Sequence, residues 1–302
     1  MRRKGKIYIA LFFATLFVVN IKAQQLNSLS NYMNNNYLVN PAAAGTSSEV
    51  SLYYKKWWSG FDGSPTIQCI TAQSSINNNN VGLGGKFFNY STGPISKLGI
   101  EGTYSYHLKV SNNSKLALAL SLQLYQFYLN KNMLKLEESY DEAIIYSSEK
   151  LIVPDAAFGA YYYSDNYYAG ISVYQLFNRK VSLLNQDYVE NKQIRHYFFT
   201  AGYKLKINET YGIEPSLLTK FIETGTLQLD FNLKAIYKDF VWLGVGYRTN
   251  EATVINLGVK NEHLAFGYAY DILMNDIRKH SVGSHELMFL YNFGNKSKSK
   301  IY

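Results

Sequence analysis

The stretch TLQLDFNLKAIY, residues 226–237, alternates apolar and polar side chains over almost its whole length. Its odd positions carry leucine, phenylalanine, alanine and tyrosine, whereas most even positions carry threonine, glutamine, aspartate, asparagine or lysine. Because successive side chains of a β-strand point to opposite faces, this pattern predicts a strand with one apolar and one polar face. The same alternation returns at 252–260, 262–273 and 284–294.

Segments of this kind, counted along the whole chain, predict about fourteen antiparallel strands, and an even number is typical of bacterial outer-membrane barrels. The predicted strands lie near 47–57, 65–76, 81–90, 97–110, 115–130, 154–164, 167–178, 194–206, 210–221, 225–237, 240–249, 252–260, 262–273 and 284–294. We therefore expect an all-β protein, a transmembrane antiparallel β-barrel whose bulky side chains face lipid.

The predicted connections differ in length according to the side of the barrel on which they lie. The long ones, Trp58–Ser64, Lys131–Val153, Arg179–Gln193 and Met274–Gly283, all follow odd-numbered strands. The connections after even-numbered strands are very short and rich in Asn, Asp and Ser, which favour tight turns. Short periplasmic turns and longer extracellular loops are the arrangement of outer-membrane barrels.

The first 23 residues predict a secretory signal peptide. Arg2 and Arg3 begin a basic stretch, Ile7–Val19 is an apolar run too short to span a bilayer comfortably, and Ala23 precedes the expected cleavage point. An uncleaved membrane anchor is the alternative interpretation. Cleavage removes five basic residues and no acidic ones, so the formal charge falls from +8 to +3. This small excess gives no support to nucleic acid as a partner.

Residues 24–46, which precede the first predicted strand, are polar and asparagine-rich but contain several large apolar side chains. This composition predicts a periplasmic N-terminal segment that plugs the mouth or the lumen of the barrel, with a disordered terminus as the alternative. The barrel is expected over 47–294 and a C-terminal tail over 295–302. Glycines recur on the strand face opposite the bulky residues, where they leave room for side chains or for a plug.

No arrangement of residues predicts catalysis, a metal or a cofactor. The five histidines form no short ligand pair of the kind that zinc sites use, and the glycines of Val81–Gly85 lack the helix and the Lys-Ser/Thr pair of a phosphate-binding loop. The longest outer loop carries an acidic cluster, which is either a solvated surface or a contact surface for an extracellular partner. Its members are Glu137, Glu138, Asp141 and Glu142.

Two stretches of the N-terminal half resemble the signatures of the PorP/SprF family of Bacteroidetes. The sequences SNYM at 30–33 and LVNPA at 38–42 resemble its first signature, and KWWSGFDGSP at 56–65 resembles its second. The tandem lysines and tryptophans of residues 55–58 depart from the usual Arg/Asn-Gln-Trp version. The positions that match are Asn40, Pro41, Gly45, Trp57, Gly60, Phe61, Asp62, Gly63 and Pro65.

The resemblance implies a barrel associated with type IX secretion and gliding motility that holds secreted proteins or adhesins at the cell surface. It implies outer-membrane lipid, exported cargo and, for some members, periplasmic type IX components as partners. Gly60 and Gly63 are expected to allow a tight loop, and Pro65 to set the start of the second strand. Trp57 or Trp58 is expected at the outer interface of the membrane. Asp62 of the same signature either caps loop amides or meets a partner.

The leading hypothesis is a non-enzymatic outer-membrane barrel that anchors or docks an exported surface protein. The alternative is a small-solute channel, which requires an open lumen. A third class, an outer-membrane lipase or protease, needs a nucleophile with a histidine partner at the barrel wall, and the spacing of the residues indicates none.

Overall fold

The computed structural model describes residues 29–77, 80–134, 150–179, 181, 193–223, 225 and 227–294. Over these residues the chain forms a closed antiparallel barrel of fourteen strands, which confirms the fold predicted from the sequence. The strands are β1 (Glu49–Lys56), β2 (Thr66–Ile76), β3 (Val81–Thr92), β4 (Ile95–Lys109), β5 (Ser114–Leu129), β6 (Lys150–Ser164), β7 (Tyr167–Tyr174), β8 (His196–Tyr203 and Leu205–Lys206), β9 (Tyr211–Ile222), β10 (Leu227–Tyr237), β11 (Val241–Arg248), β12 (Ala252–Lys260), β13 (Leu264–Leu273) and β14 (Ser284–Asn292).

The barrel closes because its first and last strands pair. Val50 of β1 stands opposite Tyr291 of β14, and every other strand pairs with its neighbours along the chain. Closure leaves no strand edge in the hydrocarbon region, where an unpaired backbone group is strongly destabilising because no water is present to satisfy it.

Side chains alternate between lipid and lumen as the sequence pattern predicts. On β10, Phe231 and Leu233 are exposed on the outer surface, at 49% and 53% of their maximal area. Asp230, Asn232 and Lys234, which alternate with them, are buried inside the barrel. The apolar side chains therefore form the surface that meets lipid, and the polar side chains line a filled interior.

One strand, β8, is interrupted where its neighbour contains a proline. Its two parts, His196–Tyr203 and Leu205–Lys206, flank Lys204 and continue the same register along β9. That register places Pro215 opposite Tyr203, directly before the interruption at Lys204. Because proline has no backbone N–H, it cannot donate the ladder hydrogen bond that a continuous pair of strands requires.

The connections have the predicted polarity, but several strands differ from the predicted length at the outer end, among them β7, which ends at Tyr174 rather than near 178. The β3–β4 connection is a tight turn of Gly93 and Pro94, so both strands reach further outward than the sequence predicts. Likewise, β6 begins at Lys150 rather than at Pro154. Pro154 is accommodated inside the ladder opposite Leu124, and for this reason it does not mark the start of the strand.

In the part of the chain that the structure describes, the helical elements are five short 3₁₀ turns. Three of them precede β1, at Tyr32–Asn34, Asn36–Leu38 and Pro41–Ala43, and two lie in outer connections, at Lys131–Met133 and Asp276–Lys279. Within the described ranges, no helix is both long and apolar enough to cross a bilayer.

The residues before β1 lie inside the barrel. We call Leu29–Gly45 the lumen segment. Ser30 contacts Asp271 near the outer end of β13, whereas Gly45 lies against Gly82 near the periplasmic end of β3. The segment therefore runs through the lumen from the outer half towards the periplasmic mouth.

Candidate functional site

Charged side chains in the outer half of the lumen surround the beginning of the lumen segment. The Lys55 ammonium lies 2.8 Å from the Asp271 carboxylate and 3.4 Å from that of Glu286. Ser30 joins these groups, since its backbone N–H donates to Glu286 at 2.6 Å and its hydroxyl donates to Asp271 at 2.9 Å. Pairing of this kind is what allows charges to remain in a buried site.

The network continues around the barrel wall through Arg248, which is fully buried. Its guanidinium donates to Asp230 at 3.1 Å and to Glu251 and Asp271 at 3.0 Å. Lys220 approaches the same Asp230 carboxylate at 3.1 Å. Because the carboxylates are shared, removing one charge leaves several partners uncompensated.

Hydrogen bonds to opposite walls hold the middle of the lumen segment. The Tyr32 hydroxyl accepts from the side-chain amide of Asn232 on β10 at 2.9 Å. The Tyr37 hydroxyl lies 2.8 Å from the hydroxyl of Thr103 on β4. Both tyrosines are buried, and contacts with strands on both sides fix the segment across the width of the lumen.

Asn40 of the first signature attaches the lumen segment to β6 and β7. Its side-chain amide donates to the carbonyl oxygens of Ala160 at 3.0 Å and Ile171 at 3.2 Å. Its Oδ1 accepts from the backbone N–H of Ala42 at 2.9 Å, which caps the short helix that begins at Pro41. The Asn-Pro pair thus shapes the segment and binds it to the wall.

Glycines of the barrel wall make room for the lumen segment. A Cβ atom at Gly82 would overlap the Ala44 carbonyl, and one at Gly84 would overlap the Tyr37 ring. Gly45 has a positive φ of 82°, and a Cβ there would overlap the Cα of Gly82. Glycine is needed on both sides because two backbones pass closer than side chains permit.

Trp57 of the second signature faces the lumen rather than the outer membrane interface. Its side chain is 4% exposed and packs edge-on against Tyr90, with 6.2 Å between ring centroids. The Lys55 ammonium lies 5.1 Å from the centre of the Trp57 ring. Trp58, by contrast, is half-buried and has a positive φ of 48° at the start of the loop. The alternation of β1 places Trp57 inward, together with the buried Lys55.

The loop that follows Trp57 turns on two glycines. Gly60 and Gly63 have positive φ values of 92° and 69°, a backbone conformation that favours glycine. The Gly63 carbonyl accepts from the backbone N–H of Gly93 at 3.0 Å, which joins this loop to the β3–β4 turn. Pro65 is buried directly before β2.

The tip of this loop is exposed at the outer rim and is tied to the β13–β14 loop. Phe61 is 49% exposed, and Asp62 is also exposed. Ser59 donates from its backbone N–H to Gly283 at 2.7 Å and accepts from the N–H of Val282 at 3.0 Å. Among the described residues no loop amide donates to the Asp62 carboxylate, which points to the surface.

Two histidines, His107 and His285, make hydrogen bonds to tyrosine hydroxyls. The Nε2 atom of His107 lies 2.9 Å from the Ala44 carbonyl oxygen, and its Nδ1 lies 2.7 Å from the Tyr163 hydroxyl. His285 is 2.7 Å from the Tyr268 hydroxyl. In the part of the chain that the structure describes, no group of three or more His, Cys, Asp or Glu side chains is placed to hold a metal ion.

Several residues of the sequence analysis lie outside the described residues. These are the acidic cluster Glu137, Glu138, Asp141 and Glu142, the predicted signal peptide 1–23 and the tail 295–302. The contact role of the acidic cluster remains a prediction from the sequence.

Sequence reasoning did not anticipate the buried ion-pair network. Lys55, Arg248, Asp271 and Glu286 each occupy a polar position of an alternating strand, which indicates an inward side chain and nothing more. The partners come from strands that are distant in sequence, so only the closure of the barrel brings them together. The inward charges themselves indicated that such a network exists, because an ionised side chain on an inward face needs an opposite charge nearby.

Fourteen paired strands with an apolar outer surface and a polar interior define an outer-membrane β-barrel. Within that class, the family described as "Type IX secretion system membrane protein PorP/SprF" matches residues 21–291. The chain belongs to this family and is associated with type IX secretion. Among curated proteins, none matches the sequence.

Solved structures that resemble the chain are outer-membrane proteins with low sequence identity. The outer membrane protein Omp33 of Acinetobacter baumannii is 8% identical, with a TM-score of 0.47 over 82% of this chain and 100% of that one. The CymD monoaromatic hydrocarbon channel is 11% identical, with a TM-score of 0.47 over 89% of this chain and 94% of that one. The KdgM porin is 11% identical, with a TM-score of 0.41 over 82% and 99% of the two chains.

Proposed function

We propose that this protein is a non-enzymatic barrel that anchors or docks an exported surface protein or adhesin at the outer membrane, in connection with type IX secretion and gliding motility. The observation that carries the proposal is the second signature loop, whose residues 60–63 are exposed at the outer rim while its backbone is bonded to the β13–β14 loop. A loop that is already fixed binds without the entropic cost of ordering.

The chemistry of the two joined loops suits a protein partner. Phe61 is 49% exposed, and Val282 on the adjoining loop is 68% exposed. Asp62, which follows Phe61 in the chain, is exposed and carries a carboxylate. Aromatic side chains flanked by polar groups are typical of residues that dominate binding between proteins. Periplasmic components of the secretion system are further expected partners, on the opposite side of the membrane.

The filled lumen favours docking over solute transport. The lumen segment bonds to β4, β6, β7, β10 and β14, and its Tyr32 and Tyr37 side chains are buried. A channel needs a continuous water-filled path, and this segment occupies the space where such a path would run.

The proposal is tested with the substitution Phe61→Ala in the native cell, followed by measurement of the exported adhesin on the cell surface and in the medium. We expect the adhesin to move from the surface to the medium. Phe240→Ala is the matched control, because Phe240 is similarly exposed, at 55%, but lies at a periplasmic turn. Unchanged surface retention in Phe61→Ala and in a strain without the gene would rule out the docking function.

The channel alternative is tested by planar-bilayer recording of the purified protein. We expect no discrete openings from the intact chain, and openings after deletion of residues 30–44 from the lumen segment. Steady conductance of the intact chain would instead favour the small-solute channel.

A further inference from the structure

A cavity of about 210 Å³ lies at the outer mouth of the lumen, on the side away from the ion-pair network. Its lining includes Lys97 of β4, Phe127 of β5 and His196 of β8, with Gln175 and Gln193 from the β7–β8 connection. A volume of this size accommodates about seven water molecules, at roughly 30 Å³ each. It therefore has room for a small polar group and for the chain atoms next to it.

Gln193 places an unpartnered amide in the lining of this cavity. Its side chain is 6% exposed, yet neither its Nε2 nor its Oε1 has a hydrogen-bond partner among the described residues. The backbone N–H of Gln193 donates to the Arg179 carbonyl at 2.8 Å, which fixes the residue at the end of its loop. The Oε1 atom of Gln175 is likewise buried and unpartnered. Buried polar groups of this kind are rare in proteins and call for a partner.

Lys97 adds a positive charge that the described residues do not pair. Its ammonium lies 3.8 Å from the centre of the Tyr125 ring and 5.2 Å from that of Phe127, and no carboxylate of the described residues lies within 4.0 Å. The carboxylate of Asp155 attracts this ammonium from beyond that distance. Its Oδ1 accepts from the backbone N–H groups of Ala156 at 2.7 Å and Phe177 at 3.0 Å, and its Oδ2 is buried without a hydrogen-bond partner among the described residues. The aromatic rings hold the ammonium in place but do not neutralise it.

We propose that this cavity binds the carboxylate group of a ligand. The Lys97 ammonium donates a charge-assisted hydrogen bond to one carboxylate oxygen. The Gln193 amide N–H groups donate further hydrogen bonds to the carboxylate. The carbonyl oxygens of Gln193 and Gln175 accept from an N–H or O–H group next to that carboxylate. A peptide with a free C-terminus and a sugar acid both present this combination. The proposal does not depend on the docking function of the outer loops.

The test measures binding of three probes to the full chain purified in detergent, by saturation-transfer NMR. The probes are N-acetyl-trialanine with a free carboxylate, the same peptide with a C-terminal amide, and glucuronate. We expect the free carboxylate peptide or glucuronate to bind with a Kd of roughly 1 mM, and the amide to bind more weakly by about tenfold or more. Binding of the peptide but not of glucuronate identifies a polypeptide source, and the reverse result identifies a sugar acid.

Two variants assign the binding to this cavity. Lys97→Met and Gln193→Leu are each expected to weaken carboxylate binding by about tenfold. Lys109→Met is the control, because Lys109 lies on the same strand but is exposed at the periplasmic end. Folding of each variant is checked by the mobility difference between heated and unheated samples in gel electrophoresis. If Lys97→Met does not fold, Gln193→Leu decides, since Gln193 lies outside the strands.

Two results would overturn the proposal. The first is the absence of binding by both carboxylate probes at millimolar concentration, which shows that the cavity holds solvent only. The second is binding that is the same in wild type, Lys97→Met and Gln193→Leu, which places the probe elsewhere on the protein.

Discussion

The side-chain amide of Asn40 donates a hydrogen bond to the carbonyl oxygen of Ala160 at 3.0 Å, across 120 positions of the sequence. The bond joins the first signature of the family to the wall of the barrel. The same amide reaches Ile171, so one side chain bridges two adjacent strands. The signature at 38–45 therefore serves to attach the lumen segment.

Substitution of Asn40 by alanine is expected to loosen the lumen segment. The change leaves two carbonyl oxygens without this donor and removes the cap on Ala42, at a cost of about 1–3 kcal/mol. Hydrogen exchange of residues 36–45 measures the effect. We expect these residues to exchange faster in the variant than in the wild type, by more than the strands do. Asn113→Ala, in an exposed periplasmic turn, is the control and should leave the exchange unchanged. Equal protection of the segment in both variants would contradict the assigned role.

Substitution of Gly82 by alanine is expected to displace the lumen segment from the wall. The added Cβ meets the Ala44 carbonyl, which is backbone and cannot rotate away, and overpacking of this kind costs about 1–3 kcal/mol. Thermal unfolding in detergent measures the loss. Gly102→Ala is the matched control, because a Cβ at Gly102 meets nothing within 4 Å. If both variants unfold at the same temperature as the wild type, the close approach at Gly82 is not a constraint.

Lys55 and Lys56 are adjacent lysines with different expected contributions to stability. Lys55 is fully buried and pairs with Asp271 and Glu286, whereas Lys56 is half-buried on the other face of β1. Lys55→Met leaves buried carboxylates uncompensated and is expected to lower the free energy of unfolding by about 3–5 kcal/mol. Lys56→Met should change it by less than about 1 kcal/mol. Urea unfolding of the two variants provides the comparison, and equal midpoints would show that the network does not stabilise the barrel.

The lumen segment is expected to loosen in strong base. Burial raises the pKa of Tyr37 above the ordinary value of about 10, because the phenolate loses its hydration. A raised folded-state pKa means that the stabilisation is complete below the unfolded-state pKa and is lost as the pH rises through the folded-state value. Exchange of the segment relative to the intrinsic base-catalysed rate should therefore become faster above pH 10 in the wild type. Tyr37→Phe should shift this loss of protection to higher pH, and an identical profile would exclude Tyr37 as its source.

The strands were predictable because the environment imposes a simple rule on them. A strand between lipid and a polar lumen must alternate, and Phe231 and Lys234 can be assigned to opposite faces from their types alone. The start of β6 differs from the prediction because Pro154 lies inside the strand. Proline usually marks the end of a strand, but in this barrel the ladder continues past it.

The interior was only partly predictable. Composition indicated a segment before the first strand with apolar side chains, but nothing local showed that Asn40 would reach the carbonyls of Ala160 and Ile171. The inward glycines indicated free space without showing what fills it. Contacts between residues more than 100 positions apart depend on barrel closure, which a one-dimensional pattern does not contain.

The contacts of Glu286 bear on the order in which the protein assembles. It lies on the last strand, yet it accepts hydrogen bonds from Ser30 and Asn31, which are 256 and 255 positions earlier in the chain. The same strand forms the seam with β1. The final strand to be synthesised therefore completes the wall and secures the earliest described residues in one step. Closure of the barrel and fixation of the beginning of the chain are therefore coupled, because both need β14 in place.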